Sequence, residues 1–212
     1  MRLSIFLAIA VLWCSAPMAH AQTADEDWLT RVQDRYAALS GLQAQYQQSV
    51  DSPIDDGSME RSGMLYATPN AFRVEGSGQT VVSNEATTWV YNRVRGQVII
   101  SEPGEQDPDL ATPTTLFSRF SDAFRLEASE EVSDGRVRLT LQAEDPQAEY
   151  ETLILWVRPN DTTITALELT DFSGTHIRIE LSEIVLNPEM SEELFAFDPP
   201  EHAEVVDLRE DR

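Results

Sequence analysis

The chain has 212 residues, with 15 basic against 37 acidic side chains and a formal net charge of −22; every basic residue is arginine. A charge of that sign repels phosphate backbones and anionic headgroups, which argues against nucleic acid as a partner and against charge-driven membrane binding. Acidity without lysine suits a high-salt setting, where a Debye length of roughly 3 Å at about 1 M silences the mutual repulsion.

Arg2 supplies a positive end, Leu3 to Trp13 form an apolar run too short to span a bilayer, and Ala19-His20-Ala21 is a small-x-small cleavage site. Residues 1–21 read as a secretory signal that is removed. Cys14, the one cysteine, lies inside that segment, and the bulky Trp13 before it is wrong for lipoprotein processing. Removing the first 21 of 212 residues leaves 191, enough for one domain spanning residues 22–212. Without cysteine, that domain must be stabilised by a packed core.

From Asp25 to Leu39, Trp28, Leu29, Val32, Tyr36 and Leu39 recur at helical spacing, with acidic residues in the first turn and Ser40-Gly41 as a stop. "LQAQYQQSV" then alternates Leu42, Ala44, Tyr46 and Val50 against Gln43, Gln45, Gln47 and Ser49, which predicts a strand wet on one side. Period-two runs follow at residues 63–67, 71–75, 87–91, 97–101, 136–142, 151–157, 163–171 and 175–185. Asp134-Gly135, Asn160-Asp161 and Ser173-Gly174 mark turns between several of them. The pattern predicts a large antiparallel sheet with short connections. One segment interrupts it: "TPTTLFSRFSDAF" places Thr112 to cap, Pro113 at the first helical position, and Leu116, Phe117, Phe120 and Phe124 on one helical stripe. A short helix with an aromatic face is expected there, lying across the sheet either to close a core or to act as a lid.

Catalytic equipment is nearly absent from the pattern. His176 and His202 lack the spacing of a metal pair, and no G-x-S-x-G elbow is present. Gly76-Ser77-Gly78 reads as a turn, not a phosphate cradle. The acidic residues around Gly57 lack the ligand spacing of a calcium loop, and Asn160-Asp161-Thr162 reads as a hairpin turn before a glycosylation site. Neither a metal nor a cofactor is expected, and an enzyme is the weaker hypothesis.

An ordered series of short matches carries a resemblance. Thr68-Pro69-Asn70-Ala71-Phe72-Arg73-Val74 corresponds to an R-P-x-x-F-R-W signature, and Thr88-Trp89-Val90-Tyr91-Asn92 with Gln97-Val98 to an L-W-x-Y-N-x-x-x-x-Q-V stretch. Thr112-Pro113 with Leu116 corresponds to a T-P-led lid helix, and Phe195-Ala196-Phe197-Asp198-Pro199-Pro200 with Val205-Val206 to a C-terminal F-x-F-x-P-P and valine-rich strand. In this order and after a signal peptide, from about Leu29 to Val206, the chain resembles the periplasmic outer-membrane lipoprotein carrier family, the LolA type.

The resemblance implies a mainly β fold, a curved antiparallel sheet forming an unclosed half barrel covered by an N-terminal helix and a short mid-chain lid helix. It implies a monomeric periplasmic chaperone that takes acylated lipoproteins from an inner-membrane exporter to the outer membrane, where a receptor can accept them. By similarity Phe72 faces the lipid cavity, and Tyr66, Val74, Trp89, Tyr91, Leu116, Phe117 and Phe120 join it as lining candidates. The family's lid-holding arginine is Thr68 here, and its signature tryptophan is Val74. Exchanging a charge-assisted bond for a neutral one weakens closure by roughly 1–2 kcal/mol, so a looser lid is expected. Arg73 alternates onto the opposite face from Phe72. Two other readings remain open at this level: a lipid or envelope-stress sensor on the same fold, and a hydrolase of envelope lipids or sugars, which would need perturbed carboxylates in the cavity.

Overall fold

In the computed structural model, which describes residues 22–53, 58–103, 123–148 and 150–209, the helical spacing near the N-terminus becomes helix α1 (Gln22–Ala37). Its buried face carries Val32 and Tyr36, followed by Leu39 just past the last turn, with Trp28 and Leu29 half-buried beside them. Ser40-Gly41 ends the helix as expected. The Ser40 amide donates to Oδ1 of Asn187 at 2.8 Å, and the Asn187 amide returns a bond to the Gly41 carbonyl at 2.8 Å. The helix end is thereby fixed to the far end of the chain's longest strand.

The described strands form one twelve-stranded sheet. In chain order the strands are β1 (Leu42–Asp51), β2 (Ser58–Ala67), β3 (Phe72–Gly76), β4 (Gln79–Ser83), β5 (Thr88–Asn92) and β6 (Gln97–Ser101). They continue with β7 (Phe124–Glu131), β8 (Val137–Ala143), β9 (Tyr150–Arg158), β10 (Thr163–Asp171), β11 (His176–Leu186) and β12 (Glu204–Asp207). The spatial order is β12-β6-β5-β4-β3-β2-β1-β11-β10-β9-β8-β7, so among the described residues β12 and β7 are the edges and the sheet does not close. This is the expected unclosed antiparallel sheet. Register shifts in the β1–β11, β9–β10 and β7–β8 ladders add the local bend that lets it curl. At the first of these Glu183 takes a left-handed φ of 49°. The outer edge strand β7 alternates Phe124 and Leu126 with Arg125 and Glu127, and such charges discourage pairing with another chain.

Turn chemistry follows the sequence. Gly135 and Gly174 adopt φ of 81° and 85°, conformations that a Cβ would strain. Between β9 and β10 the Asp161 carboxylate grips the Arg158 guanidinium through two bonds of 2.9 and 2.7 Å, which holds its pKa down to about 2.

Three differences separate structure from expectation. β4 and β7 are strands that the period-two reading passes over. Phe124, expected on the stripe of the lid helix, instead opens β7, pairs with Ala143 and packs against the core beneath α1. The alternation from Phe124 onward satisfies the backbone through the β8 ladder, which a helix at that edge would leave unpaired. The rest of the expected lid helix, with Thr112, Pro113, Leu116, Phe117 and Phe120, lies outside the described residues. Finally, β12 is parallel to β6, because the chain returns across the sheet before joining that edge.

Candidate functional site

Residues paired across neighbouring strands share a face, so the register assigns the two sides of the sheet. On one side lie Leu65, Val74, Val81 and Val90 in a row across β2 to β5, and Leu42, Ala67 and Phe72 in a second row. Tyr46 pairs with Leu181 and Gln48 with Ile179, and Ile179 leads through Leu167 and Leu155 to Leu139. That last group is the core beneath α1. One apolar face therefore runs the width of the molecule, filled by α1 over β7 to β11 and continuing over β1 to β5 as a second cluster that shares Ile179 and Leu186 with the first.

Towards the β3–β4 turn this second stretch opens into a cavity of about 330 Å³. Tyr46, Val74, Val81 and Gly76 form its apolar floor; Gln48, Gln79 and Asn92 add polar groups. Arg61, Arg95, Met59, Val94 and Glu60 stand at its mouth together with Ser77 and Gly78. Met59 and Val94 are half and almost wholly exposed, at 50 % and 87 %. Gly63 faces both Tyr46 and Gly76 across the ladders, and a Cβ built on Gly63 would come 1.7 Å from the Glu75 carbonyl oxygen. The strands approach so closely there that only glycine fits. Burial raises the pKa of the Tyr46 phenol above its ordinary value, with the Arg61 charge pulling partly back.

The residues singled out from the sequence fall on both sides. Phe72 (2 % exposed) and Val74 lie on the face shared with α1, and Val74 lines the cavity. Tyr66, Trp89 and Tyr91 lie on the opposite face, in rows with Arg73 and Val82 or with Glu75 and Thr80. That face is crossed by the C-terminal segment. Arg73 Nη1 donates to the Leu194 carbonyl at 3.2 Å, Asn84 donates to the Phe195 carbonyl at 3.1 Å, and the Tyr91 and Phe197 rings sit 5.8 Å apart. The Phe195 side chain is buried in the same strap. Thr68 is half-buried in the β2–β3 turn, where its hydroxyl donates to the Ala71 carbonyl at 3.2 Å and accepts from the Ala71 amide at 3.0 Å. Leu116, Phe117 and Phe120 lie outside the described residues.

Tyr46, Val81, Gln48, Arg61 and Arg95 are cavity residues that the sequence reading did not single out. The Gly76-Ser77-Gly78 turn, read only as a turn, is one, and it also forms part of the mouth. His176 and His202 are exposed, and among the described residues no group of His, Cys, Asp and Glu is arranged to hold a metal ion. No described helix is long and apolar enough to cross a membrane.

Comparison with known proteins gives a consistent family. The model of the outer membrane lipoprotein carrier protein LolA family matches residues 37–198. The chain is 27% identical over 209 residues to the outer-membrane lipoprotein carrier protein of Halorhodospira halophila, covering 95% of this chain and 96% of that protein. It is 28% identical over 211 residues to the protein of the same name from Alkalilimnicola ehrlichii, covering 96% and 94%. Among solved structures, an uncharacterized conserved protein from Thermus thermophilus superposes with a TM-score of 0.54 at 18% identity, over 87% of this chain and 99% of that one, a likeness of fold alone.

Proposed function

The chain belongs to the LolA family of outer membrane lipoprotein carrier proteins, and from that premise we propose that it binds the acyl chains of lipoproteins and carries them through the periplasm. In this reading it is a monomer, secreted with loss of residues 1–21. It receives cargo from an inner-membrane exporter and delivers it to the outer membrane, with a receptor there as the recipient. Its work is carriage, not catalysis. One observation supports this above the rest: an unclosed sheet whose continuous apolar face runs from the helix-covered core into an open cavity floored by Tyr46, Val74 and Val81.

The chemistry suits a hydrocarbon ligand. A lipid tail offers nothing to hydrogen-bond, and each methylene removed from water contributes about 0.8 kcal/mol. Phe72 and Val74 are the lining candidates on the cavity side. Leu116, Phe117 and Phe120 would supply the cover from the lid segment, while Tyr66, Trp89 and Tyr91 would act from the opposite face by holding the C-terminal strap. Thr68 would set how firmly the lid shuts, since a closed empty state offsets part of the lipid's binding energy and makes release feasible.

Purifying the mature protein from its native envelope and identifying what accompanies it by mass spectrometry tests the proposal. Acylated proteins are expected, and Val74→Glu, checked for folding by circular dichroism, should lose them because it places a charge where a tail would lie. Recovery of free lipid without any acylated protein would instead support a sensor on this fold.

A further inference from the structure

Among the described residues, several arginines of this strongly acidic chain are matched to carboxylates. Arg73, Arg125, Arg136, Arg138, Arg158, Arg178 and Arg209 each form an ion pair with a nearby Asp or Glu. Among the described residues neither Arg61 nor Arg95 is paired with a carboxylate, and both line the same cavity; Arg93 beside them in the β5–β6 turn is also without a carboxylate but is held by the Gly76 carbonyl and Thr80 Oγ1. They come from separate elements, Arg61 from β2 opposite Gln48 and Arg95 from the β5–β6 turn, so their shared position is made by the fold and not by sequence adjacency. The cavity also presents the amides of Gln79 and Asn92 and the turn at Ser77-Gly78, with the buried Gln48 deeper in, against one carboxylate, Glu60, among the described residues. Beneath this polar ring the floor is apolar.

We propose that the cavity takes an acyl chain bearing an anionic head group, with the tail on Tyr46, Val74 and Val81 and the head between Arg61 and Arg95. This rests on the acyl-binding reading above and adds the charge class of the ligand. Two guanidiniums offer forked donors that suit a carboxylate or a phosphate, and charge-assisted bonds of this kind are about twice as strong as neutral ones. The chain's net charge of −22 opposes the approach of any anion from a distance. That repulsion is screened within a Debye length, whereas contact with the two arginines at the mouth is not. Selectivity therefore arises at the site and not from the overall field.

A matched pair of probes tests this, a pyrene-tailed fatty acid and the neutral alcohol with the same tail, titrated at fixed ionic strength into the wild-type protein and an Arg61→Gln/Arg95→Gln variant. The wild type should favour the acid by roughly tenfold, and the double variant should bring the two probes within about twofold, with most of the loss falling on the acid. Inorganic phosphate should displace the acid poorly; full displacement by phosphate would make this a free-anion site and overturn the lipid assignment. Equal binding of acid and alcohol to the wild type, or a preference that survives the double substitution, would refute the head-group role while leaving acyl binding intact. Binding of neither probe would remove both.

Discussion

Gly63→Ala tests whether the floor of the cavity depends on the close approach of β2 and β3. A Cβ at this position meets the Glu75 carbonyl oxygen at 1.7 Å and the Glu75 carbonyl carbon at 2.7 Å. Both atoms are backbone on the paired strand, so no side chain can rotate away, and the gap has to widen to at least 3.0 Å. Overpacking of this kind costs about 1–3 kcal/mol, and a backbone obstacle puts the effect near the top of that range. Losing glycine's freedom in the unfolded chain offsets about 0.4–1 kcal/mol, leaving a net destabilisation of about 2 kcal/mol. In urea, with a slope of about 1–3 kcal/mol per molar, the unfolding midpoint should fall by roughly 1 M. Gly78→Ala is the control, because a Cβ there meets nothing within 4 Å; it should leave the midpoint unchanged or slightly raised. If Gly63→Ala unfolds within about 0.5 kcal/mol of wild type, or if both variants shift alike, the strands are not held as described and the argument for the floor fails.

Tyr36, on the buried face of α1, accepts the Ile164 amide through its hydroxyl at 2.9 Å, and burial raises its pKa from 10.0 to about 12. Its contribution is complete below pH 10 and is lost as pH rises through about 12, because the unfolded chain ionises first. Tyr36→Phe should lower stability by about 1–3 kcal/mol at neutral pH by orphaning that amide, and thermal melts from pH 9 upward, about a unit below the usual phenol range, should show its deficit narrowing; a constant deficit would refute the burial argument. For the lid, Thr68→Arg should speed dissociation of an acylated peptide by roughly tenfold if the gain of a charged donor firms closure by about 1.4 kcal/mol. Thr68→Val removes the two bonds to Ala71 without adding charge, so an off-rate shared by both variants would reduce Thr68 to a turn residue.

Much of the sheet was legible because half-buried strands announce themselves. β1 alternates Leu42, Ala44 and Tyr46 inward against Gln45 and Gln47 outward, as its residue types require. β4 gave no such signal: Val81 faces the cavity and Val82 the strapped face, both are buried, and a strand covered on two sides has no period to detect. The cavity itself was harder still. Alternation identifies that Leu65 and Tyr66 oppose each other but not which of them points inward, and that choice is made by register through β1 to the core under α1. Aromatic character points to Tyr66, Trp89 and Tyr91, whereas the floor uses Tyr46 and Gly76, and the meeting of Gly76 with Gly63 across β2 and β3 depends on pairing that no local pattern reveals.

The hollow lies at the end of one continuous apolar face, past the part that α1 fills. Beneath α1 that face is built from Leu139, Leu141, Leu153, Leu155 and Leu167, all buried, and the space is filled. Across β1 to β3 the same face packs Leu42, Ala44, Leu65, Ala67 and Phe72 into a second cluster and then reaches the Gly63–Gly76 pair, where it opens beside Tyr46 and Val74. A closed, dry cavity of 330 Å³ would cost roughly 8 kcal/mol at about 24 cal/mol per Å³, a large share of an ordinary domain's stability. The open mouth and the polar groups of Gln48, Gln79 and Asn92 in the lining avoid much of that cost by suiting the empty state to water. If the cavity takes an acyl tail as proposed, its release would refill the space with solvent instead of leaving a void. The difference between those two fillings, not the gross burial of the tail, would then set how readily cargo leaves, and residues at the mouth could tune it without altering the core beneath the helix.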